Sequence, residues 1–284
     1  MAVTIEQFIP RKRFLICVDS DGCAVDTMDI KHKRCFGPCL VTEWGLENWQ
    51  EAILTRWNEI NLYSMTRGIN RFKGLAMMLE EIDRDMTPIA GLSDLRRWVD
   101  TAKELSNPAL EAELKKNHAP ILEKALRWSV SVNHSIAALP WALKKAFPGV
   151  KEGFEAVRSF ADLAVVSSAN RDAVEEEWKK FGLLELVDLV LCQDVGSKAH
   201  CIAELQKKGY AADAILMVGD APGDQDAAKR NGVWYYPILV RHEAESWREF
   251  SGAAQKLREG LYGPYGERKA EEFLKNLSGG GTNG

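Results

Sequence analysis

Aspartates follow two apolar runs of this sequence, directly where each run ends. Phe14 to Val18 leads into Asp19-Ser20-Asp21-Gly22, and Ala214 to Val218 leads into Gly219-Asp220, with Asp224 a short distance further on. Because side chains alternate along a strand, Asp19 and Asp21 lie on one face. In an open parallel sheet, ligands bind in the crevice beyond the carboxyl ends of the strands. We therefore predict that these carboxylates share one crevice.

Several ionised carboxylates in one crevice need compensation. At an effective dielectric constant near 20 and a separation of roughly 5 Å, each like-charged pair costs about 3 kcal/mol. Either a cation or protons must therefore be present. Oxygen ligands without histidine or thiol favour Mg²⁺, which is commonly shared with a substrate phosphate. The predicted cofactor is Mg²⁺, and its predicted ligands are Asp19, Asp21, Asp220 and Asp224.

Two further positions suit a phosphate group. Ser167-Ser168 follows the apolar run Leu163 to Val166, which offers hydroxyl and backbone N–H donors at the entry of a helix. Lys198 opens the next helical pattern and brings an ammonium group to the same end of the sheet. Taken singly, each feature has an ordinary alternative, because strand-end aspartates are often turn or cap residues and first-turn lysines are usually solvated. Their combination favours a phosphate site.

The elements that position these residues read as an α/β domain with a parallel sheet. Four of the five short apolar runs lie beyond residue 160 and alternate with helical patterns. These runs, read as buried strands, are Phe14 to Val18, Leu163 to Val166, Leu189 to Cys192, Ala214 to Val218 and Val233 to Tyr236. We predict a Rossmann-like core made of residues 1–26 and 148–250. Residues 251–284 are predicted to form a C-terminal helix and a mobile Gly-rich tail.

The segment between the first and second strands is too long for an ordinary loop. Its apolar residues recur at helical spacing, including a predicted final helix from Ile136 to Phe147 that Pro140 interrupts. Residues 27–147 are therefore predicted to be an inserted, mainly α-helical cap domain. Most of its tryptophans are predicted to belong to its core. They are Trp44, Trp49, Trp57, Trp98, Trp128 and Trp141.

Composition and charge exclude several classes of protein. The 37 Lys and Arg residues against 41 Asp and Glu give a net charge of −4, which offers no basic field for nucleic acid. The longest apolar runs are far below the roughly twenty residues of a membrane span, and the N-terminus lacks the order of a secretory signal. Six cysteines are too few for a disulfide framework, so we expect reduced thiols in a cytoplasmic protein. A zinc site at His32, Cys35 and Cys39 lacks a fourth ligand, and packing or turn roles are favoured there.

These positions resemble the four motifs of the haloacid dehalogenase superfamily. The matching residues are Asp19-Ser20-Asp21-Gly22, Ser167, Lys198 and Gly219-Asp220 with Asp224. The stretch from Phe147 to Val240 is similar to the core of the phosphoglycolate phosphatase type in particular. The insert is similar to the superfamily's helical caps in position and helical character only.

The resemblance implies a role for each motif residue. Asp19 is the expected nucleophile that forms an aspartyl-phosphate, and Asp21 the expected general acid and then base. Ser167 and Lys198 are expected to hold the transferring phosphoryl group, with Ser168 beside them. Asp19, the Asp21 carbonyl, Asp220 and Asp224 are expected around Mg²⁺. Asp226 is assigned to helix structure.

Two features of the first motif qualify this expectation. Dehalogenases of the family lack the second aspartate as proton donor, so Asp21 favours phosphoryl chemistry over carbon–halogen cleavage. Cys23 stands where the motif usually has threonine. An accessible thiol there would make the site sensitive to oxidation, which stands as a hypothesis.

Basic residues of the insert are candidates for contact with a second anionic group of a substrate. One set is Lys31-His32-Lys33-Arg34, and the other is Arg67, Arg71 and Lys73, close to the Gly68-Ile69-Asn70 bend. A solvated helix face is the alternative for both sets. We favour the set around the bend as substrate-binding residues.

The predicted function is that of a Mg²⁺-dependent phosphatase acting on a small phosphorylated metabolite. A phosphoglucomutase-like phosphoryl transfer uses the same core residues and is the nearest alternative. A non-catalytic module that binds a phospho-ligand is a second alternative, against which both motif-one carboxylates argue. A response-regulator receiver differs in the position of its acceptor aspartate and has no helical insert. We expect no nucleic-acid or membrane partner and a monomer or homodimer, with sugars, glycolate-like acids and nucleotides unranked as substrates.

Overall fold

This computed structural model describes residues 4–279. The chain divides into two compact units. The α/β unit contains the chain up to Met28 and Lys144–Gly279, and the helical unit contains Asp29–Leu143. The sequence predicts the boundaries at residues 26/27 and 147/148, and these bounds stay a prediction. The predicted class, a parallel α/β core with a mainly helical insert, is confirmed.

The elements are numbered here in chain order. The strands are β1 (Phe14–Val18), β2 (Val25–Asp26), β3 (Lys145–Ala146), β4 (Ala161–Val166), β5 (Leu189–Leu191), β6 (Ile215–Gly219) and β7 (Trp234–Pro237). The first seven helices are α1 (Met28–Lys31), α2 (Gly37–Trp44), α3 (Gln50–Leu62), α4 (Arg71–Asp85), α5 (Leu92–Thr101), α6 (Asn107–Leu114) and α7 (Pro120–Ala137). The remaining helices are α8 (Val150–Val157), α9 (Arg171–Lys180), α10 (Lys198–Gln206), α11 (Pro222–Arg230), α12 (Glu243–Glu259) and α13 (Tyr262–Ser278).

The main sheet has the order β5-β4-β1-β6-β7, and all its pairs are parallel. β1 lies at the centre, where Val18 pairs with Val165 on one side and Val218 on the other. All five residues of β1 are buried, as a strand covered on both faces requires. The register brings the carboxyl ends of β4, β1 and β6 side by side.

The core of the α/β unit contains a cluster of packed aromatic rings. Phe154 of α8 is fully buried, with its ring centroid 5.7 Å from that of Trp178 and 5.6 Å from that of Trp247. α12 and α13 contribute Phe250, Leu257 and Tyr262 to the same core. The predicted separate segment 251–284 therefore begins inside α12, a helix of the α/β unit. The part of the predicted mobile tail beyond residue 279 lies outside the described residues.

The helical unit has its own core around Trp57, Trp128 and Phe72, all nearly inaccessible to solvent. Trp98 is also buried in this core, and Trp44 and Trp49 are partly buried and pack against it. The prediction that most of the six tryptophans belong to the core is therefore confirmed, and Trp141 is the exposed exception. No helix within residues 4–279 combines the length and apolarity of a membrane span.

The predicted helix from Ile136 to Phe147 is wrong. α7 continues only to Ala137, and the chain then forms the two-residue strand β3, which pairs antiparallel with β2. Pro140 supplies no backbone N–H to a helix, which explains the stop. Phe147 N donates to Ala24 O at 3.0 Å, so this return segment is bound to the chain that follows β1.

Replacing Phe154 by alanine is expected to destabilise the α/β unit by about 3–5 kcal/mol, because it removes the ring between two buried indoles and leaves a cavity. Chemical denaturation followed by tryptophan fluorescence measures the change in the free energy of unfolding. Leu261→Ala is the control, since Leu261 is 61% exposed, and it should change stability by less than about 0.5 kcal/mol. Equal stabilities of the two variants would contradict this account of the core.

Candidate active site

The carboxyl edge of the sheet carries the predicted site residues. Asp19 follows β1, Asp220 follows β6, and Ser167 follows β4, while Lys198 is the first residue of α10. Asp19 N donates to Val218 O at 3.0 Å, so the hydrogen-bonding ladder between β1 and β6 continues into the site. The positions of these residues follow from three adjacent parallel strands that end together.

Three carboxylates converge at this edge. Within residues 4–279, they form the single group of at least three His, Cys, Asp or Glu side chains that could hold a metal ion together. Asp19, Asp220 and Asp224 each offer an oxygen within 4.8 Å of the others, and all three residues are buried. Lys198 Nζ lies 2.6 Å from Asp19 Oδ2 and 2.5 Å from Asp224 Oδ1. With every group ionised, three negative charges and one positive charge leave the cluster at −2.

Burial and neighbouring charges together shift the pKa values of the cluster. Burial raises the pKa of Asp19 to about 6. The charge of Asp224 also raises this pKa, whereas the Lys198 ammonium lowers it. Burial likewise raises the pKa of Asp224, again opposed by Lys198. For Lys198, burial favours the neutral amine, but the charges of Asp19 and Asp224 prevail and raise its pKa. The ammonium is therefore a firmly charged partner of the two carboxylates.

Asp224 packs against the backbone of the loop between β6 and α11. A Cβ atom added to Gly219 would overlap the Asp224 carboxylate, so only glycine permits this approach. Asp224 Oδ2 accepts from Ala221 N at 3.0 Å, and its Oδ1 faces Lys198. Tyr235, buried on β7, donates its hydroxyl to Gly219 O at 2.9 Å. Both oxygens of Asp224 thus have protein partners, and this residue fixes Lys198.

The donor set fits Mg²⁺. It consists of carboxylate oxygens, the residues carry excess negative charge, and the described residues place no histidine or cysteine in the group. Asp19 and Asp220 are the residues best placed to hold the ion, because Asp224 is engaged with Lys198 and Ala221.

The Asp21 side chain does not join the three-carboxylate group. It is half-buried, and its Oδ1 accepts from Thr27 Oγ1 at 2.6 Å. Its predicted place among the metal ligands therefore rests on its backbone carbonyl alone, and that assignment stays a prediction. A carboxyl group that is oriented by a hydrogen bond and is not one of the three clustered ligands suits proton transfer.

The serines differ from the sequence interpretation in one respect. Ser167 N donates to Leu191 O at 2.9 Å, so this backbone group continues the sheet and is not a phosphate donor. Ser167 Oγ accepts from Ala169 N at 3.2 Å, which leaves its O–H to donate. α9 begins only at Arg171, where Asn170 caps it. Ser168 is exposed beside this turn.

The basic residues around the bend have defined contacts inside the helical unit. Arg67 is 3% exposed and donates to Leu62 O at 2.7 Å. Arg71 donates to Asn133 Oδ1 at 2.7 Å and to Ser129 Oγ at 3.1 Å, and its pKa falls to about 10 because it is buried. Because Arg67 and Arg71 make these contacts, they do not fit the alternative of a solvated helix face. Only Lys73 is exposed, and the assignment of all three to substrate binding stays a prediction.

The cysteine hypotheses gain no support from the geometry. Cys23 is fully inaccessible, and burial, followed by the charge of Asp220, raises the pKa of its thiol well above the usual range. A buried, protonated thiol reacts poorly with oxidants. His32 Nδ1 accepts from Trp57 Nε1 at 3.1 Å, and Cys39 lies 3.5 Å from Ser135 Oγ, as packing roles predict.

The sequence interpretation missed a layer of residues behind the motif-one loop. Trp178 donates to Ser20 Oγ at 2.8 Å, and Trp247 donates to Cys23 O at 2.8 Å. One signal was present, because a serine between two acids at the end of a buried strand needs a hydrogen-bonding partner. Residue spacing does not indicate that Trp178 is this partner.

Comparison with known proteins agrees with this arrangement. The family model of haloacid dehalogenase-like hydrolases matches residues 99–236, which include Ser167, Lys198 and Asp220. No curated protein matches the sequence.

Two solved structures share the fold. A candidate phosphoglycolate phosphatase from Lactobacillus delbrueckii subsp. bulgaricus is 15% identical, covers 89% of this chain and 99% of its own, and has a TM-score of 0.52. A haloacid dehalogenase-like family hydrolase from Xanthomonas campestris is 14% identical, covers 88% of this chain and 94% of its own, and has a TM-score of 0.50. In the sequence that the family model matches and in its fold, the chain is similar to the haloacid dehalogenase-like hydrolases.

Proposed function

We propose that this protein is a Mg²⁺-dependent phosphatase that hydrolyses a small phosphorylated metabolite through an aspartyl-phosphate. The observation that carries the proposal is the buried Lys198 ammonium, which touches both Asp19 and Asp224 beside the Asp220 carboxylate. A dianionic phosphate needs cationic partners, and the residual charge of −2 in this cluster supplies the reason for a divalent ion. Asp19 and Asp220 would hold the ion, which would supply positive charge to offset that of the phosphoryl group.

Asp19 is the nucleophile of the proposed reaction. Its Oδ1 accepts from Ser20 N at 2.7 Å and its Oδ2 faces Lys198, so the carboxylate is oriented before substrate arrives. An Asp19 oxygen forms a bond to phosphorus while the bond from phosphorus to the ester oxygen breaks. Orientation of this kind lowers the entropic part of the barrier.

Asp21 moves the protons. Held by Thr27 Oγ1, its carboxyl group gives a proton to the departing ester oxygen. A water molecule then attacks phosphorus and returns a proton to Asp21, and the bond from Asp19 to phosphorus breaks to release inorganic phosphate. Ser167 Oγ and Lys198 Nζ hold the phosphoryl oxygens in both steps.

Substrate selection is assigned to Ser168 in the α/β unit and to Arg67, Arg71 and Lys73 in the helical unit. Lys73 is the exposed cation of the three, whereas Arg67 and Arg71 would first act by shaping their unit. A panel of phosphorylated sugars, glycolate-like acids and nucleotides, assayed for released phosphate, identifies the substrate class. Formation of sugar isomers instead would identify the phosphoglucomutase-like alternative.

Asp19→Asn is expected to reduce phosphate release from p-nitrophenyl phosphate with Mg²⁺ by at least about 10³-fold, because it removes the nucleophile. Phosphate release measured in steady state tests this. Asp226→Asn is the matched control, since Asp226 is exposed on α11 and pairs with Arg230 of the same helix, and its activity should stay within about twofold. Full activity of Asp19→Asn, or binding of phosphate without any turnover by the unaltered protein, would refute a phosphatase.

Gly219→Ala is expected to lower kcat by about 10²-fold, because the added methyl group displaces Asp224 and with it Lys198. Gly223→Ala is the matched control, since a Cβ added at Gly223 meets no atom within 4 Å. Steady-state kinetics and Mg²⁺ titration calorimetry measure the two variants side by side. Equal kcat values for the two variants would show that the position of the Asp224 side chain against Gly219 has no catalytic importance.

Mg²⁺ binding is expected to weaken as pH falls through about 6, the raised pKa of Asp19. The sign follows because Asp19 is protonated below that pH and a proton then competes with the ion. Affinity should fall up to roughly tenfold per pH unit below this point. Calorimetry between about pH 5 and about pH 7 measures it. A flat profile would show that no proton competes with the ion in this range, and the same slope in Asp19→Asn would assign the competing proton to another group.

A further inference from the structure

The conformation of the motif-one loop, residues 19–25, depends on the buried Ser20. Ser20 is fully inaccessible, and its carbonyl accepts from Cys23 N at 3.3 Å and from Ala24 N and Val25 N at 2.9 Å. Its backbone N–H donates to Asp19 Oδ1 at 2.7 Å. The orientation of the Ser20 peptide therefore controls both the turn and the direction of the Asp19 carboxylate.

The side chain of Ser20 is held from a different part of the fold. Trp178 Nε1 donates to Ser20 Oγ at 2.8 Å, and neither residue is accessible to solvent. The indole is itself immobilised, because it stacks on Phe154 with an interplanar angle of 19°. A short hydrogen bond between two packed groups leaves Ser20 little freedom to rotate.

The location of Trp178 shows which two parts of the site this hydrogen bond connects. Trp178 lies on α9, the helix that follows the loop carrying Ser167 and Ser168. The bond thus ties the Asp19 loop to the helix after the predicted phosphate hydroxyl. Packing alone does not require a hydroxyl at position 20, since a buried hydroxyl is costly unless it is paired.

We infer that Trp178 is a positioning residue for the reaction: through Ser20 Oγ, its indole N–H sets the peptide that aims Asp19 at phosphorus. The inference rests on the proposed phosphatase function and assigns a role to a residue outside the four motifs. Trp178 touches neither substrate nor ion in this scheme. Its loss therefore affects turnover rather than substrate affinity.

Trp178→Phe removes the N–H, and Ser20→Ala removes only the acceptor oxygen. Each is expected to lower kcat for p-nitrophenyl phosphate by about tenfold and to leave KM within about twofold. The double variant should be no slower than the slower single variant, because both changes break the same bond. Ser20→Ala carries the test alone if Trp178→Phe does not fold.

Trp234→Phe is the matched control. Trp234 donates its indole N–H to Asp213 O at 3.1 Å, at the start of β7 and therefore at the opposite end of the sheet. It should lose stability without losing kcat. The inference is overturned if Ser20→Ala keeps kcat within about twofold, if the two losses multiply in the double variant, or if Trp234→Phe lowers kcat equally.

Hydrogen exchange separates this inference from the proposed function. In the metal-free protein, amides of residues 19–25 should exchange at least about tenfold faster in Ser20→Ala than in Trp234→Phe. If the unaltered protein releases no phosphate, the phosphatase proposal fails, and the exchange rates alone decide whether Trp178 orders the loop. Equal exchange in the two variants overturns the positioning role whatever the activity.

Discussion

The placement of one ammonium group among buried carboxylates is the constraint on which the site depends. Asp19, Asp220 and Asp224 lie out of water, where charge of one sign is costly. Lys198 offsets part of that cost through contacts with two of them. The cluster stays negative overall, so it is suited to a divalent ion and a phosphate that arrive together. This incomplete neutralisation distinguishes a functional cluster from a structural ion pair.

The scaffold supplies the precision that such a cluster needs. β1 is the central strand, and its two neighbours carry Ser167 and Asp220 at the same edge. Behind the loops, hydrogen bonds from Trp178 and Tyr235 hold Ser20 and Gly219. The predicted site residues therefore lie against buried aromatic residues whose hydrogen bonds orient their loops.

In the helical unit, two arginine side chains are likewise compensated by hydrogen bonds. Arg67 and Arg71 donate to a backbone carbonyl and to amide and hydroxyl side chains of their own unit. A separate core around Trp57 and Trp128 gives this unit an independent basis for stability. A cap of this kind can vary its exposed residues, such as Lys73, while its fold is maintained by buried contacts.

The sequence by itself determined the strands, the helical insert and the motif positions, because local apolar periodicity and the residue types at strand ends carry that information. It did not reveal that Asp21 turns to Thr27, that Ser167 N belongs to the sheet, or that β3 replaces a predicted helix. Nor did spacing connect Trp178 with Ser20. Those outcomes depend on contacts between residues far apart in the chain, and only the packed tertiary structure decides which donor meets which acceptor.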